Sequence, residues 1–458
     1  MDQILNTVST HLKVDLIMLL MDSHVIFDEY HEYANMDIFN LLFAELIECK
    51  KLKKESFRNT LLVSATPNYL YIKKILKLDA DNTIEMPSFN CSSYRVNFIK
   101  YNDFQDKSGN FVYERTKACP RNTFVITNTA KHAQISFIRN LKTENAILFH
   151  SKFKKNDKAF LFEKIIKSFK KDGEKNYDIL RSGPVIQASL NITCSTMFSE
   201  ITGPENFLQR LGRLDRFGEN NEINNYNILI TEAVENGNPT AGDQASFLKR
   251  LNNFHSAKAW FHYLANNLKQ PFKLPDIYKL YKEFYKDNSC EKDSKSDLSD
   301  SLKNSICLIR KKLIEPIKIV IKKPSNKNNL TIRRISLRGD SRFVQAALYN
   351  ADTNTPSYDY ACTYPDEHLT DSLNKILGIS AHTYMKKKHH NICSVAKIYS
   401  EQELLENARE LNSPIYLSYT QEDLNKVNVT SPEKTFVYYV ICKKQPIGLM
   451  DYEIIPKI

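Results

Sequence analysis

Val25-Ile26-Phe27-Asp28-Glu29-Tyr30-His31 is the stretch whose reading decides the fold. His24 to Phe27 reads as a buried strand, and two adjacent carboxylates follow where that strand should end. In open parallel α/β sheets, ligands sit just beyond the carboxyl ends of the strands. An Asp there can hold Mg²⁺ through a water, and a neighbouring Glu can orient or deprotonate an attacking water. His31, two residues past Glu29, is placed to sense a bound γ-phosphate and pass that state to the rest of the molecule. Alone, the stretch fits a strand capped by solvated acids equally well, so its meaning depends on the text downstream.

Downstream, apolar residues recur at helical spacing from Met36 to Lys51. Thr60-Leu61-Leu62-Val63 reads as a second buried strand, ending in Ser64-Ala65-Thr66-Pro67. Strand, helix, strand with hydroxyls at the strand end predicts a βαβ unit and a parallel sheet. Residues 70–118 carry no clear period. A second α/β block opens at Phe124-Val125-Ile126, followed by Asn128-Thr129-Ala130 and a helix with Gln134, Phe137 and Leu141. Ala146 to Ser151 is the next strand, Lys158 to Lys171 the next helix, and Val185-Ile186 a further short strand. Ser189-Leu190-Asn191-Ile192 then leads to Gly203 through Arg216. On a helix, Gln209, Arg213 and Arg216 fall at i, i+4 and i+7 on one face. Gly212 would let that backbone approach a partner closely. One amide and two guanidiniums suit phosphate oxygens, because Arg binds them bidentately. Tyr226 to Ile230 closes the block.

Helices are expected over 244–268 and 276–286, a linker near 287–300, and then a helix with Arg310, Lys311 and Lys312 on a basic stripe. From Thr331 the text turns β-rich, at Thr331–Leu337, Phe343–Tyr349, Ile415–Tyr419 and Thr435–Cys442. Lys386-Lys387-Lys388-His389-His390 is its most basic spot; a solvated loop explains it as well as a phosphate grip does.

Composition bounds the partners. Of 458 residues, 64 are basic and 53 acidic, a net charge of +11, which favours an anionic partner with nucleic acid first. None of the nine cysteines forms a C-x-x-C pair, which argues against a zinc ribbon or redox motif and fits a reducing cytoplasm. The longest apolar run, Leu16 to Met21, is far too short to span a bilayer. None of the eleven glycines is followed by Lys, so no G-x-x-x-x-G-K-[ST] phosphate loop occurs, and no His is followed by Asp.

With these residues together, the chain resembles the helicase part of the CRISPR-associated helicase-nuclease of type I systems. The resemblance rests on Met1-Asp2-Gln3-Ile4-Leu5, the D-E-Y-H box at 28–31, Ser64-Ala65-Thr66, Asn128-Thr129-Ala130 with Gln134, Ser189 to Ile192, and Gln209 to Arg216. It covers residues 1–230 in the right order and beyond 240 rests on position and size. It implies a superfamily-two DExH motor recruited by Cascade, with ATP and Mg²⁺ as cofactors and single-stranded DNA as track. The implied fold class is α/β: two RecA-like lobes, the first incomplete, a helical connector and a smaller C-terminal α+β accessory domain. Residues 1–117 would form the partial first lobe, 118–235 the second, 236–323 the connector and 324–458 the accessory domain. By the same resemblance Asp28 and Glu29 hold Mg²⁺ and activate water, His31, Ser64 and Thr66 couple hydrolysis to strand movement, and Gln209, Arg213 and Arg216 face the γ-phosphate.

Departures accompany it. The family's phosphate loop and any His-Asp nuclease domain would lie upstream of residue 1. Asn191 stands where motif V usually carries Asp, and Gly183 or Ser182 where it usually carries Thr. The expectation is therefore a motor truncated before motif II, inactive alone, with an upstream fragment and a Cascade-type effector complex as partners. A different DExH helicase, acting on RNA or repair intermediates, and a non-catalytic nucleic-acid-binding remnant stand as alternatives.

Overall fold

The computed structural model describes residues 19–34, 36–52, 60–78, 83–101, 120–140, 144–187 and 190–314, and the strand segments 332–333, 344–350, 355–363, 392–397, 415–416, 437–442 and 445–451. The readings at Met1–Leu5, Leu141, Ser189 and Lys386–His390 fall outside these residues. The chain divides into two compact units, one made of 20–150 with 161–306, the other containing the C-terminal strands.

In the first unit, strand β1 (Val25–Asp28) pairs in parallel with β2 (Thr60–Val63), Asp28 lying opposite Val63. Helix α1 (Phe39–Leu52) makes the crossover. Its buried Phe43 and Ile47 pack with Tyr30, Leu70, Tyr71 and Leu298, and Phe27 and Leu62 lean on the same core. The βαβ unit is as expected, but neither strand is buried on both faces. Ile26 is 69 % exposed and Leu61 52 %, because every second side chain of a strand points away from the one face that α1 covers. Parallel sheets are ordinarily covered on both faces.

The second block is a six-stranded, all-parallel sheet. It contains β3 (Tyr94–Tyr101), β4 (Thr123–Ile126), β5 (Ala146–Phe149), β6 (Ile179–Ser182), β7 (Thr196–Glu200) and β8 (Asn224–Thr231), in the order β3-β8-β7-β4-β6-β5. Helices α2 (Ala130–Asn140), α3 (Lys155–Phe169) and α4 (Pro204–Leu211) connect its strands. Strand β3, in the stretch whose sequence shows no period, joins this sheet through β8. Its open edge is protected. The Gln270 amide donates to Val96 O at 2.8 Å and accepts from Val96 N at 2.9 Å, and Phe272 pairs with Tyr94. The short strand expected at Val185-Ile186 is instead a 3₁₀ turn, Pro184–Ile186, since Pro removes a ladder donor; β6 ends before it.

Helices α5 (Gly242–Arg250), α6 (Phe254–Asn267) and α7 (Leu274–Phe284) follow. The stretch read as a linker lies within one 27-residue helix, α8 (Asn288–Ile314). Its polar composition misleads because residues in it find distant partners: Asp297 accepts the Ser256 N–H at 2.7 Å and the His255 N–H at 3.3 Å, and Leu298 joins the core around Phe43. Further along the helix, Asn40 donates to Ser301 at 2.9 Å and accepts from Ser305 at 2.7 Å, while the Ile38 N–H donates to Ser305 at 2.8 Å. No helix among the described residues is long and apolar enough to cross a membrane.

In the second unit, Thr355–Thr363, Val344–Asn350, Ile392–Lys397, Val437–Cys442 and Gln445–Asp451 form an antiparallel five-stranded sheet in that spatial order. Ile332–Arg333 pairs separately with Ile415–Tyr416. The β-rich reading of this region is carried by these strands.

Candidate active site

Asp28 closes β1, and the chain then turns sharply. Glu29 adopts a left-handed backbone, φ 48°, and a single 3₁₀ turn, Tyr30–Tyr33, follows. That conformation costs a non-glycine residue roughly 1–2 kcal/mol. It swings the box out of the strand, leaving Asp28 exposed and His31 only 2 % exposed.

His31 is the junction of the site. Its Nδ1 lies 2.7 Å from Ser64 Oγ, and Ser64 also accepts the Thr66 N–H at 3.0 Å. On its other side Nε2 meets the Gln209 amide nitrogen at 2.5 Å. Burial lowers the His31 pKa to about 4, against the pull of Asp28, so the ring is neutral at ordinary pH. A neutral imidazole has one donor and one acceptor. Gln209 donating to Nε2 puts the proton on Nδ1, which donates to Ser64.

Glu29 is pushed the other way. Burial first, then Asp28 and Glu32, raise its pKa, while Arg213 and Arg216 pull it back. A carboxylate with a raised pKa opposite two guanidiniums is suited to take a proton. Buried polar atoms without a partner gather in the same residues: Glu29 Oε2, Thr66 Oγ1, Gln209 Oε1 and Arg213 Nε. Orphaned buried polar atoms ask for an occupant. Carboxylates for a divalent cation and guanidiniums for phosphate fit a magnesium nucleotide. The glycine-rich backbone cradle that wraps its phosphates is not among the described residues.

The structure corrects the helical reading of the arginines. Helix α4 stops at Leu211, and Arg213 and Arg216 lie in the turns after it, with Asp215 at φ 44°. Asp215 staples this turn: its side chain accepts the Glu219 N–H at 2.9 Å and the Ser92 hydroxyl at 2.5 Å. Gly212 serves no close approach, since a Cβ there would meet only helix carbonyls at 3.5 Å. Gly203 does: its Cβ would overlap the Asn253 side chain at 2.0 Å. Arg213 is not on a solvated face. It is 5 % exposed and donates to the carbonyls of Leu190 and Gln187 at 2.6 and 2.9 Å. Burial lowers its pKa to about 10. Arg216, partly exposed, donates to the exposed Asn191 at 3.1 Å. Asp28, Glu29, His31, Ser64 and Thr66 come from strand ends and the turns after them, Gln209 from helix α4, and Arg213 and Arg216 from the turns beyond it, all within one compact unit.

Behind Gln209 lies a buried network that the sequence reading missed. Arg210, 1 % exposed, donates to Ser199 Oγ, Glu200 O and Asn128 Oδ1, each at 2.9 Å, and to Gln187 Oε1 at 3.0 Å. Glu200 accepts the Asn128 N–H at 2.5 Å and holds His132 at 2.7 Å. The available signal was Glu200 itself, an acid ending a parallel strand as Asp28 does.

Of the three buried histidines among the described residues, His31 and His132 should differ in charge. Burial opposes protonation of His132, but Glu200 and Asp243 outweigh it and raise the pKa to about 10. In a titration of ¹³C-labelled imidazoles, His132 is expected to stay cationic at pH 8 and His31 neutral at pH 5.5. Because the folded His132 pKa lies above 6.5, its contribution to stability is complete below pH 6.5 and lost as pH rises through about 10. A neutral His132 at pH 8 contradicts the Glu200 ion pair.

Comparison with known proteins places part of the chain beside a known family. The family model described as CRISPR-associated nuclease/helicase Cas3, C-terminal, matches residues 120–219, which hold β4 through α4 and the arginine turn. Over these residues the chain is similar to CRISPR-associated Cas3 nuclease/helicases. A CRISPR-associated nuclease/helicase Cas3 of Methanocaldococcus jannaschii is 28 % identical over 212 residues, 44 % of this chain and 28 % of that protein. Among solved structures, T. fusca Cas3 with ADP aligns with a TM-score of 0.58 at 14 % identity, covering 94 % of this chain and 54 % of that one. A chain of a CRISPR RNA-guided surveillance complex, pre-nicking, gives 0.60 at 13 %, covering 98 % and 59 %. These structures share the fold, and the chain spans between about a quarter and three-fifths of the length of these Cas3-type relatives.

Proposed function

We propose that this chain carries the nucleotide cleft and DNA-tracking surface of an ATP-driven helicase of type I CRISPR defence. The observation that carries the reading is His31 bridging Ser64 and Gln209. Residues of the D-E-x-H box, the Ser-Ala-Thr turn and the Q-R-x-G-R helix converge on one neutral imidazole. In this reading Asp28 and Glu29 hold Mg²⁺ and position water, and Glu29, with its raised pKa, receives the proton. Arg213 and Arg216 meet the γ-phosphate, and His31 reports the state of the cleft to Ser64 and Thr66. Bound MgATP would supply the phosphoanhydride whose cleavage drives movement. The phosphate loop would come from a segment outside these 458 residues, in the same polypeptide or another. The partner would be a Cascade-type effector complex, with single-stranded DNA as the track. A non-catalytic nucleic-acid-binding role is the second reading, favoured by the absence of any Gly-Lys pair in the sequence.

Both readings require binding to single strands, governed by the net charge of +11. Titration of a labelled DNA oligonucleotide at several salt concentrations should show log K falling by roughly 0.7 per decade of salt for each phosphate neutralised. Base preference should be weak, because motor lobes follow the backbone. Salt-independent affinity, or none, sinks both. Hydrolysis by the completed motor then separates them.

A further inference from the structure

Glu205 lies in the first turn of α4, four residues before Gln209. An acid at that position usually faces solvent and complements the helix dipole. Here it is 5 % exposed and turned onto two phenols. The Tyr281 hydroxyl lies 3.2 Å from Glu205 Oε1, and the Tyr285 hydroxyl bonds the same oxygen. Tyr281 also reaches Pro67 O at 2.8 Å, directly after Thr66. Tyr69 packs on both rings, at 5.7 and 6.1 Å between centroids.

These contacts close a ring. From His31 it runs to Ser64, along Thr66 and Pro67, through Tyr281 to Glu205, one helical turn to Gln209, and back to His31. Proton counting supports it. Tyr281 has one hydroxyl proton and two acceptors in reach. Burial raises the Glu205 pKa, outweighing the two phenols. Tyr285 donates to Glu205, and the single Tyr281 proton is shared between Glu205 Oε1 and Pro67 O, so the phenols tie the Pro67 turn to the Glu205 helix.

We propose that Glu205 and Tyr281 are positioning residues of the cleft. Through them α7 holds the Ser64–Pro67 turn and the Gln209 helix at the one spacing that closes the His31–Gln209 contact. Their effect on hydrolysis rests on the motor reading; their effect on His31 does not.

The test is diethyl pyrocarbonate labelling of the full chain, read residue by residue by mass spectrometry. His31 is 2 % exposed and His132 0 %, so both should react slowly in the wild type, and His132 serves as an internal control. Tyr281→Phe removes one oxygen and keeps the ring. It should speed labelling of His31 about tenfold, the effect of losing ~1.4 kcal/mol of closure, and approach Gln209→Ala. Glu205→Met should do the same, and Glu205→Gln, which can still bond a phenol, should stay within about twofold. His132 should remain protected throughout. A His31 that stays protected in Tyr281→Phe while Gln209→Ala exposes it overturns the proposal. So does an already reactive His31 in the wild type, or loss of protection at both histidines together. In a completed motor, Tyr281→Phe should lower kcat and leave the nucleotide KM unchanged. The expected labelling pattern in a completed chain that does not hydrolyse ATP would overturn the motor reading alone.

Discussion

The purified 458-residue chain is expected to show no DNA-stimulated ATP hydrolysis, and addition of a segment bearing a G-x-x-x-x-G-K-[ST] loop is expected to create it. A triphosphate is held mainly by backbone N–H groups wrapped around its phosphates and by a lysine that neutralises them. No Gly precedes a Lys in this sequence. In the motor reading, Glu29 and the two arginines would therefore have nothing to fix a phosphate between them. The half-covered β1–β2 pair, with Ile26 and Leu61 exposed, offers a surface on which such a segment can complete the sheet. In the completed motor, Glu29→Gln should abolish turnover. Arg213→Ala should lower it by roughly 10³–10⁵, the range for a guanidinium that meets a transferring phosphoryl group. Hydrolysis by the chain alone, lost on Glu29→Gln, would falsify the requirement for an added loop.

Arg210→Ala should be the most destabilising of the three arginine substitutions, although Arg210 is the one that the phosphate-facing pattern passes over. Its guanidinium makes four hydrogen bonds at 1 % exposure. Removal leaves several buried acceptors unpaired, at a cost of about 3–5 kcal/mol. Arg213→Ala strips two part-buried carbonyls and should cost about 2 kcal/mol. Arg216→Ala breaks one partly solvated bond to Asn191 and should stay within about 0.5 kcal/mol. Urea unfolding followed at Trp260 reads this unit directly. Trp260 is the only tryptophan, fully buried, with its ring 5.8 Å from Phe207 of α4. Equal midpoints for Arg210→Ala and Arg216→Ala would show that the buried network does not hold the helix.

Much of this was legible in the residues. Short apolar runs at Val25 and Thr60, on either side of a 3.6-residue period from Met36 to Lys51, point to a βαβ crossover, because that arrangement buries those apolar sets together. The D-E-x-H box, the Ser-Ala-Thr turn and Gln209, Arg213 and Arg216 could be picked out by their chemistry and order. Local pattern also marked the β-rich C-terminal text.

What tertiary structure decided is where long-range partners replace local ones. Residues 287–300 read as a polar linker, yet helix α8 runs through them because Asp297 finds the Ser256 N–H, 41 positions away in sequence. Arg213 and Arg216 leave the helix because Asp215 finds Ser92 and the Glu219 N–H and holds a left-handed turn. Arg210 and Glu200 are charges that the sequence reading passes over, and they lie in the interior because each finds partners there. Buried charge is tolerated only when paired, and pairing is a property of neighbours in space. Composition and period therefore determined the layers of this protein and the residue types of its cleft. The hydrogen-bond partners brought together by folding decided that Arg210 holds the helix from inside, that Arg213 and Arg216 lie in the turns beyond it, and how His31 comes to rest between Ser64 and Gln209.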